Sequence, residues 1–125
     1  MTGTIIWRDD MSVGNSDLDH QHRRLIDTAN MVRGLSGDED AEIIQAALDE
    51  VVEYILHHLD FEEDLLAKNS YKGLIEHKKK HEFFRECVQT IYANKSIATS
   101  KMLSDTMDRL IDHIMNDDKE YICCL

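Results

Sequence analysis

His58 and Glu62 stand four residues apart, and His77 and His81 stand four apart a short stretch later. On an α-helix four residues turn through about 400°, so the members of each pair project from one face, one turn apart. Imidazole and carboxylate groups in that relation can close on a metal ion from a single helix. The same residues fall on apolar stripes: Val51, Ile55, His58, Glu62 and Leu65 in one segment, and Leu74, His77, His81, Phe84, Val88 and Ile91 in the next. Ligand-type side chains thus occupy positions where a core wants leucine. Two more stripes carry the same signature, His22 among Leu18, Leu25, Ala29 and Val32, and His113 among Leu103, Thr106, Leu110 and Ile114.

One histidine on an apolar face is ordinarily a satisfied core or boundary residue. Five of them with Glu62 in a single core are different, because each buried imidazole needs partners for both ring nitrogens. A shared metal site meets that need. Nitrogen and carboxylate donors without an inward cysteine point to iron, zinc or manganese. Five histidines exceed what one tetrahedral zinc accepts, and carboxylates shared between facing helices of a bundle typically hold two metals, so the expected site is dinuclear. Position separates the near-duplicates. His20 lies about 200° around the helix from His22, and His57 has Phe61 rather than Glu62 four residues on, which assigns both to the surface.

The elements that must position these residues are helices. The 125 residues include no proline and five glycines, which removes the usual breakers. Helices are expected at about 17–35, 39–67, 71–92 and 98–117, joined by the Gly34 to Gly37 stretch, by Asn69-Ser70 and by the polar run Asn94 to Thr99. Ser16 or Asp17 is the expected cap of the first, and Asp38 to Glu42 place carboxylates at the positive end of the second. Links this short force antiparallel neighbours, and the fold class is all-α, an up-down-up-down four-helix bundle. The arm at 1–15 holds Ile5, Ile6, Trp7, Met11 and Val13, too apolar for a free tail, and is expected to be ordered against the bundle. One domain accounts for the length.

A net charge of -11 would repel phosphate backbones and anionic lipid, which argues against nucleic acid and membranes as partners. The basic run Lys78, Lys79 and Lys80 reads as the solvated face of its helix. No charged leader followed by an apolar stretch opens the chain, and nothing approaches 18 consecutive apolar residues. The three cysteines are an odd number, and Cys123 and Cys124 are neighbours for which a disulfide would be strained. A cytoplasmic, reduced monomer is the expectation, with Cys87 a small boundary residue and the terminal pair in a frayed tail.

Taken together, the motifs resemble the hemerythrins in their single-domain bacterial form: Trp7 and Met11-Ser12-Val13-Gly14 in the arm, Leu18-Asp19-His20-Gln21-His22, Tyr54 with His58 and Glu62-Glu63, His77 with His81, and His113-Ile114 with Asp118 and Tyr121. Each motif alone is weak, while the set in this order is specific and spans essentially the whole chain. The resemblance implies a non-heme diiron site. His77, His81 and His113 would serve one iron and His22 and His58 the other, with Glu62, Asp118 and an oxo or hydroxo group bridging. Two octahedral irons so ligated leave one position open, on the iron with two histidines, and the resemblance implies that O2 binds there, for storage, delivery or sensing. Nitric oxide or peroxide are the other ligands it admits. Leu110 would lie beside that position.

Asp118 is where spacing and resemblance part. Five residues from His113 is about 140° around a helix, whereas Asp117 falls on the same face. The resemblance selects Asp118, which requires the helix to distort or end there. Two departures are also visible: Arg109 stands where the family commonly has tryptophan, and Leu59 where a phenylalanine usually follows the second helix's histidine. A pocket opened by these substitutions would favour reactivity over storage. The alternative functions are a diiron oxidase, peroxidase or nitric-oxide-handling enzyme, and metal storage. A Glu-x-x-His motif on each of two helices, typical of oxygen-activating diiron enzymes, is missing, which argues for binding.

Overall fold

The computed structural model describes residues 4–124, with the side chains of 122–124 excepted. Four helices carry the fold: α1 (Ser16–Arg33), α2 (Ala41–Lys68), α3 (Leu74–Ala93) and α4 (Ser100–Asn116). Short 3₁₀ turns occupy Asp9–Met11 and Lys95–Ile97, and a longer 3₁₀ segment, Asp118–Cys124, continues from α4. No strand occurs among the described residues, and no helix among them is long and apolar enough to cross a membrane. Each helix packs on its two neighbours in the ring α1, α2, α3, α4, the arrangement of an up-down-up-down bundle.

The helix ends show local chemistry that the pattern of apolar residues misses. The cap of α1 is neither Ser16 nor Asp17 but Asn15, whose side chain accepts from the Leu18 amide at 3.0 Å. Asp19 instead faces back to the arm, accepting from the Ser12 hydroxyl at 2.5 Å and the Val13 amide at 2.9 Å. α1 stops at Arg33, with Gly34 as its C-cap. Glu39 is not yet helical: it accepts from the amides of Ser36 and Gly37, and α2 starts only after Asp40. α3 begins at Leu74, later than the apolar period suggests. The cause is a Schellman ending on α2, in which Ser70 takes a positive φ of 54° while the Tyr71 amide bonds Leu66 and the Ser70 amide bonds Ala67. The chain then turns over the Tyr71 ring, against which a Cβ at Gly73 would approach to 2.7 Å. Thr99 caps α4 by accepting from the Met102 amide.

The arm is ordered. Asn30 of α1 grips it at both polar groups of Ile5, accepting from its amide and donating to its carbonyl at 2.8 Å each. Met11 and Val13 are buried, Trp7 lies beneath the Arg23 guanidinium, and Ile6 points to solvent. Cys87 is a partly buried free thiol, while the side chains of Cys123 and Cys124 lie outside the described residues.

The core is divided. A large cluster includes Leu25, Ile55, Leu59, Phe84, Leu110 and Ile114, and a small one joins Val13, Leu18, Leu66 and Tyr121. Along every helix the residue types change in the same order from one cluster to the other, through His22 between Leu25 and Leu18, His58 and Glu62 between Ile55 and Leu66, and His77 and His81 between Phe84 and Leu74. His113 and Asp118 lie between Leu110 and Tyr121 in the same way. A buried polar layer therefore separates two apolar ones.

Candidate metal centre

All seven residues singled out from the sequence meet in that layer. His22, Glu62, His81 and Asp118 are fully buried, and His58, His77 and His113 are at most 4% exposed. Each imidazole turns Nε2 toward the carboxylates. Glu62 and Asp118 divide their oxygens between two histidine groups. Glu62 Oε1 faces His77 and His81, the latter at 3.1 Å, and Asp118 Oδ1 faces His77 at 3.1 Å and His113 at 3.0 Å. Glu62 Oε2 faces His58 at 3.2 Å and His22 at 3.7 Å, and Asp118 Oδ2 faces His22 at 3.3 Å. Two donor sets result, Glu62, His77, His81, His113, Asp118 and His22, His58, Glu62, Asp118, each with its ligand atoms within 4.8 Å of one another. Both carboxylates belong to both sets.

Asp118 reaches this place because α4 ends before it. α4 ends at Asn116, Asp117 takes the C-cap, and the chain tightens into the 3₁₀ segment at Asp118. Leaving the α-helical path, the chain brings Asp118 to the interior, where a continuing α-helix would have held it about 140° away from His113. Asp117, the residue that spacing favours, remains on the His113 side but outside the layer, its carboxylate 2.8 Å from His113 Nδ1. His20 and His57 are exposed. Leu110 is fully buried one turn before His113.

The donor atoms suit a cation and little else. Nε2 of His22, His58, His81 and His113, with both oxygens of Asp118, are buried without a hydrogen-bond partner among protein atoms. Leaving one such group unsatisfied costs about 1–3 kcal/mol, and six in one layer are untenable as mere packing. Nitrogen and oxygen donors aimed at two common points are what a pair of borderline divalent ions requires. Protein atoms alone leave protons to do that work. Burial opposes charge on His22 and His77, but contacts with Asp118 and Glu62 outweigh it and raise each pKa to about 9. His113 is raised in the same way against burial, chiefly by Asp118, whereas burial dominates at His58 and lowers it. Burial opposes ionisation of Glu62 as well, yet the surrounding histidines hold it well below the usual carboxylate range.

Several residues around the centre carry no signal in the pattern of stripes. The Tyr121 hydroxyl, buried in the small apolar cluster, donates to Glu62 Oε2 at 3.2 Å. Burial, reinforced by Asp118 and Glu62, keeps that phenol protonated. Gln21 Oε1 accepts from His58 Nδ1 at 2.9 Å and Glu63 Oε2 from His81 Nδ1 at 2.8 Å. Lys80, from the run expected to be solvated, pairs with Asp117 at 3.1 Å, while Lys78 and Lys79 are exposed. Gln21, Glu63 and Tyr121 belong to the motifs that carry the family resemblance, without a role read for them there, and Lys80 is signalled only by its place next to His81.

Comparison with known proteins agrees with this chemistry. The family described as the hemerythrin HHE cation binding domain matches residues 13–125. The bacteriohemerythrin of Stenotrophomonas maltophilia is 32% identical over 122 residues, covering 94% of this chain and 78% of that protein. That of Pseudomonas paraeruginosa is 30% identical over 123 residues, with 94% and 79% covered. That of Clostridium acetobutylicum is 29% identical over 127 residues, with 94% and 98% covered. A crystal structure of a hemerythrin point variant superposes with a TM-score of 0.87 at 21% identity, over 99% of this chain and 98% of that one, which speaks for the four-helix fold.

Proposed function

The chain belongs to the hemerythrin family, and on that premise we propose that it holds two irons in the polar layer that crosses all four helices and binds O2 reversibly. The observation that carries the reading is the division of Glu62 and Asp118 between two histidine groups, three on one side and two on the other. When bound, a ferrous pair supplies an open coordination position and two electrons that can be lent to O2 and recovered.

The side chains have separate tasks in this reading. His77, His81 and His113 crowd one metal position, and Glu62 and Asp118 each lend one oxygen to either side. His22 and His58 would hold the second metal with one histidine fewer, which would leave room for a small ligand. Tyr121 holds Glu62 Oε2 by its hydroxyl and fixes the orientation of that bridge. Leu25, Leu59 and Leu110, all within 1% of full burial, exclude water from the large-cluster side, and a dry pocket slows loss of electrons to solvent-borne oxidants.

A second reading, a diiron oxidase, peroxidase or nitric-oxide-handling protein, has one observation in its favour. A surface cleft between α3 and α4, lined by Phe83, Phe84, Arg109 and Asp117, reaches His113. Arg109, where the family commonly has tryptophan, lies across it with its guanidinium over the Phe83 ring. The two readings separate when the protein is reduced anaerobically, exposed to O2 and degassed. Return of the reduced spectrum on degassing supports the carrier, and irreversible oxidation with peroxide release or substrate turnover replaces it with the enzyme.

A further inference from the structure

The outward nitrogens of the histidines are not treated alike. On the three-histidine side, His81 Nδ1 donates to Glu63 Oε2 at 2.8 Å, and Arg85 holds the same oxygen at 2.5 Å. His113 Nδ1 donates to Asp117 Oδ2 at 2.8 Å, and Lys80 holds Oδ1 of that carboxylate at 3.1 Å. Each is a chain of imidazole, carboxylate and cation, and both cations come from α3. On the two-histidine side, His58 Nδ1 meets only the neutral amide oxygen of Gln21 at 2.9 Å, and His22 Nδ1 is buried with no partner.

We propose that Glu63 and Asp117 are positioning residues that make the two metal positions unequal, strengthening the three-histidine position and leaving the two-histidine position labile. This rests on the reading of the layer as a two-iron site. An imidazole whose N–H donates to a carboxylate is a better electron donor through its other nitrogen than one that donates to an amide, and loss of such a partner typically lowers metal affinity about 10–100-fold. Anionic partners on one side alone therefore bias that side toward tighter binding and toward the higher oxidation state. The neutral side is the one that binds, releases and exchanges most readily. Arg85 and Lys80 fix the carboxylates at the ring nitrogens, so that the orientation of His81 and His113 is set before metal arrives.

A plainer role is available, in which any acceptor at Nδ1 would orient the ring equally well. Charge-removing substitutions of the same shape distinguish the two. Metal-free protein is titrated anaerobically with iron(II) against a chromophoric chelator, resolving two binding steps for the wild type, Glu63→Gln, Asp117→Asn and Gln21→Glu. Glu63→Gln and Asp117→Asn should each weaken the tighter step about 10–100-fold and leave the weaker step within about threefold. Gln21→Glu should strengthen the weaker step and narrow the gap, a gain that a misfolded variant cannot imitate. The proposal is overturned if the first two variants leave the tighter step within about threefold of wild type, or if both steps weaken together as general destabilisation would produce. Uptake of fewer than two irons by the wild type overturns the two-iron reading along with it, whereas two irons bound with unchanged steps in the variants overturn this inference alone.

Discussion

Metal entering the centre must displace protons, and His22 and His77, with His113 raised alongside them, are the groups that hold them. The first two imidazoles have a pKa of about 9 in the protein without metal, because Asp118 and Glu62 overcome the penalty of burial. At pH 7.5 each is almost fully protonated, and a ligand nitrogen must give its proton up, so filling both positions releases about two protons from this pair. At pH 9 each is half protonated and the release falls to about one. The sign for affinity follows: protons compete with metal, the competition fades as pH rises, and apparent affinity for the pair of ions climbs by about two log units per pH unit near pH 7, slackening to about one near pH 9. A water deprotonated between the ions adds a constant to the release at every pH, which makes the fall of about one proton the diagnostic quantity. Calorimetric titration of metal-free protein with zinc(II) or anaerobic iron(II), in buffers of different ionisation enthalpy at pH 7.5 and 9, measures it directly. A release below half a proton at pH 7.5, or one that does not change between the two pH values, would refute the electrostatic account of the layer.

Substitution separates the two neighbouring aspartates. Asp118→Asn should bind fewer than two irons per chain, because a buried carboxylate shared by both donor sets is lost, while Asp117→Asn at saturating iron should still bind two; metal analysis after gel filtration decides, and the reverse result would return the bridging role to Asp117. Tyr121→Phe should retain the metal but lower unfolding stability by about 1–3 kcal/mol in denaturant titrations, since a buried hydroxyl bonded to an ionised carboxylate is removed without change of shape. Arg109→Trp should cover the cleft that reaches His113 and slow oxidation of the reduced, oxygen-exposed protein, followed as decay of its visible spectrum; an unchanged or faster decay would show that water enters elsewhere.

Five histidines and Glu62 were legible because helical periodicity reports directly on which face a residue occupies, and these six sit on faces that α1 to α4 bury. Asp118 was not legible that way. Its place depends on α4 ending at Asn116, and apolar spacing contains no record of where the chain leaves the helical path; only resemblance to relatives selected it. The start of α3 escaped for a similar reason, because Ser70 adopts the left-handed conformation that glycine usually supplies, and Tyr71 to Gly73 are spent on the turn. Asn15 caps α1 although the serine and aspartate beside it are equally good cap types, so residue type alone does not choose among the three. The inner end of α2 is closed by Leu66, with Leu65 half-buried, a one-residue drift that a stripe read at fixed spacing does not resolve. The contacts of Glu63 and Lys80 leave no mark in their spacing, and Asp117, which spacing offers as a ligand, meets the outward nitrogen of His113 instead, because the orientation of these histidines is defined only by the assembled layer.

The central claim, a pair of irons held by these seven side chains, is tested most directly by elemental analysis of freshly isolated protein together with oxygen uptake after anaerobic reduction. The account predicts two irons per chain and one O2 taken up per pair, returned when the oxygen pressure is lowered. A single zinc per chain, or two irons that take up no O2, would contradict it.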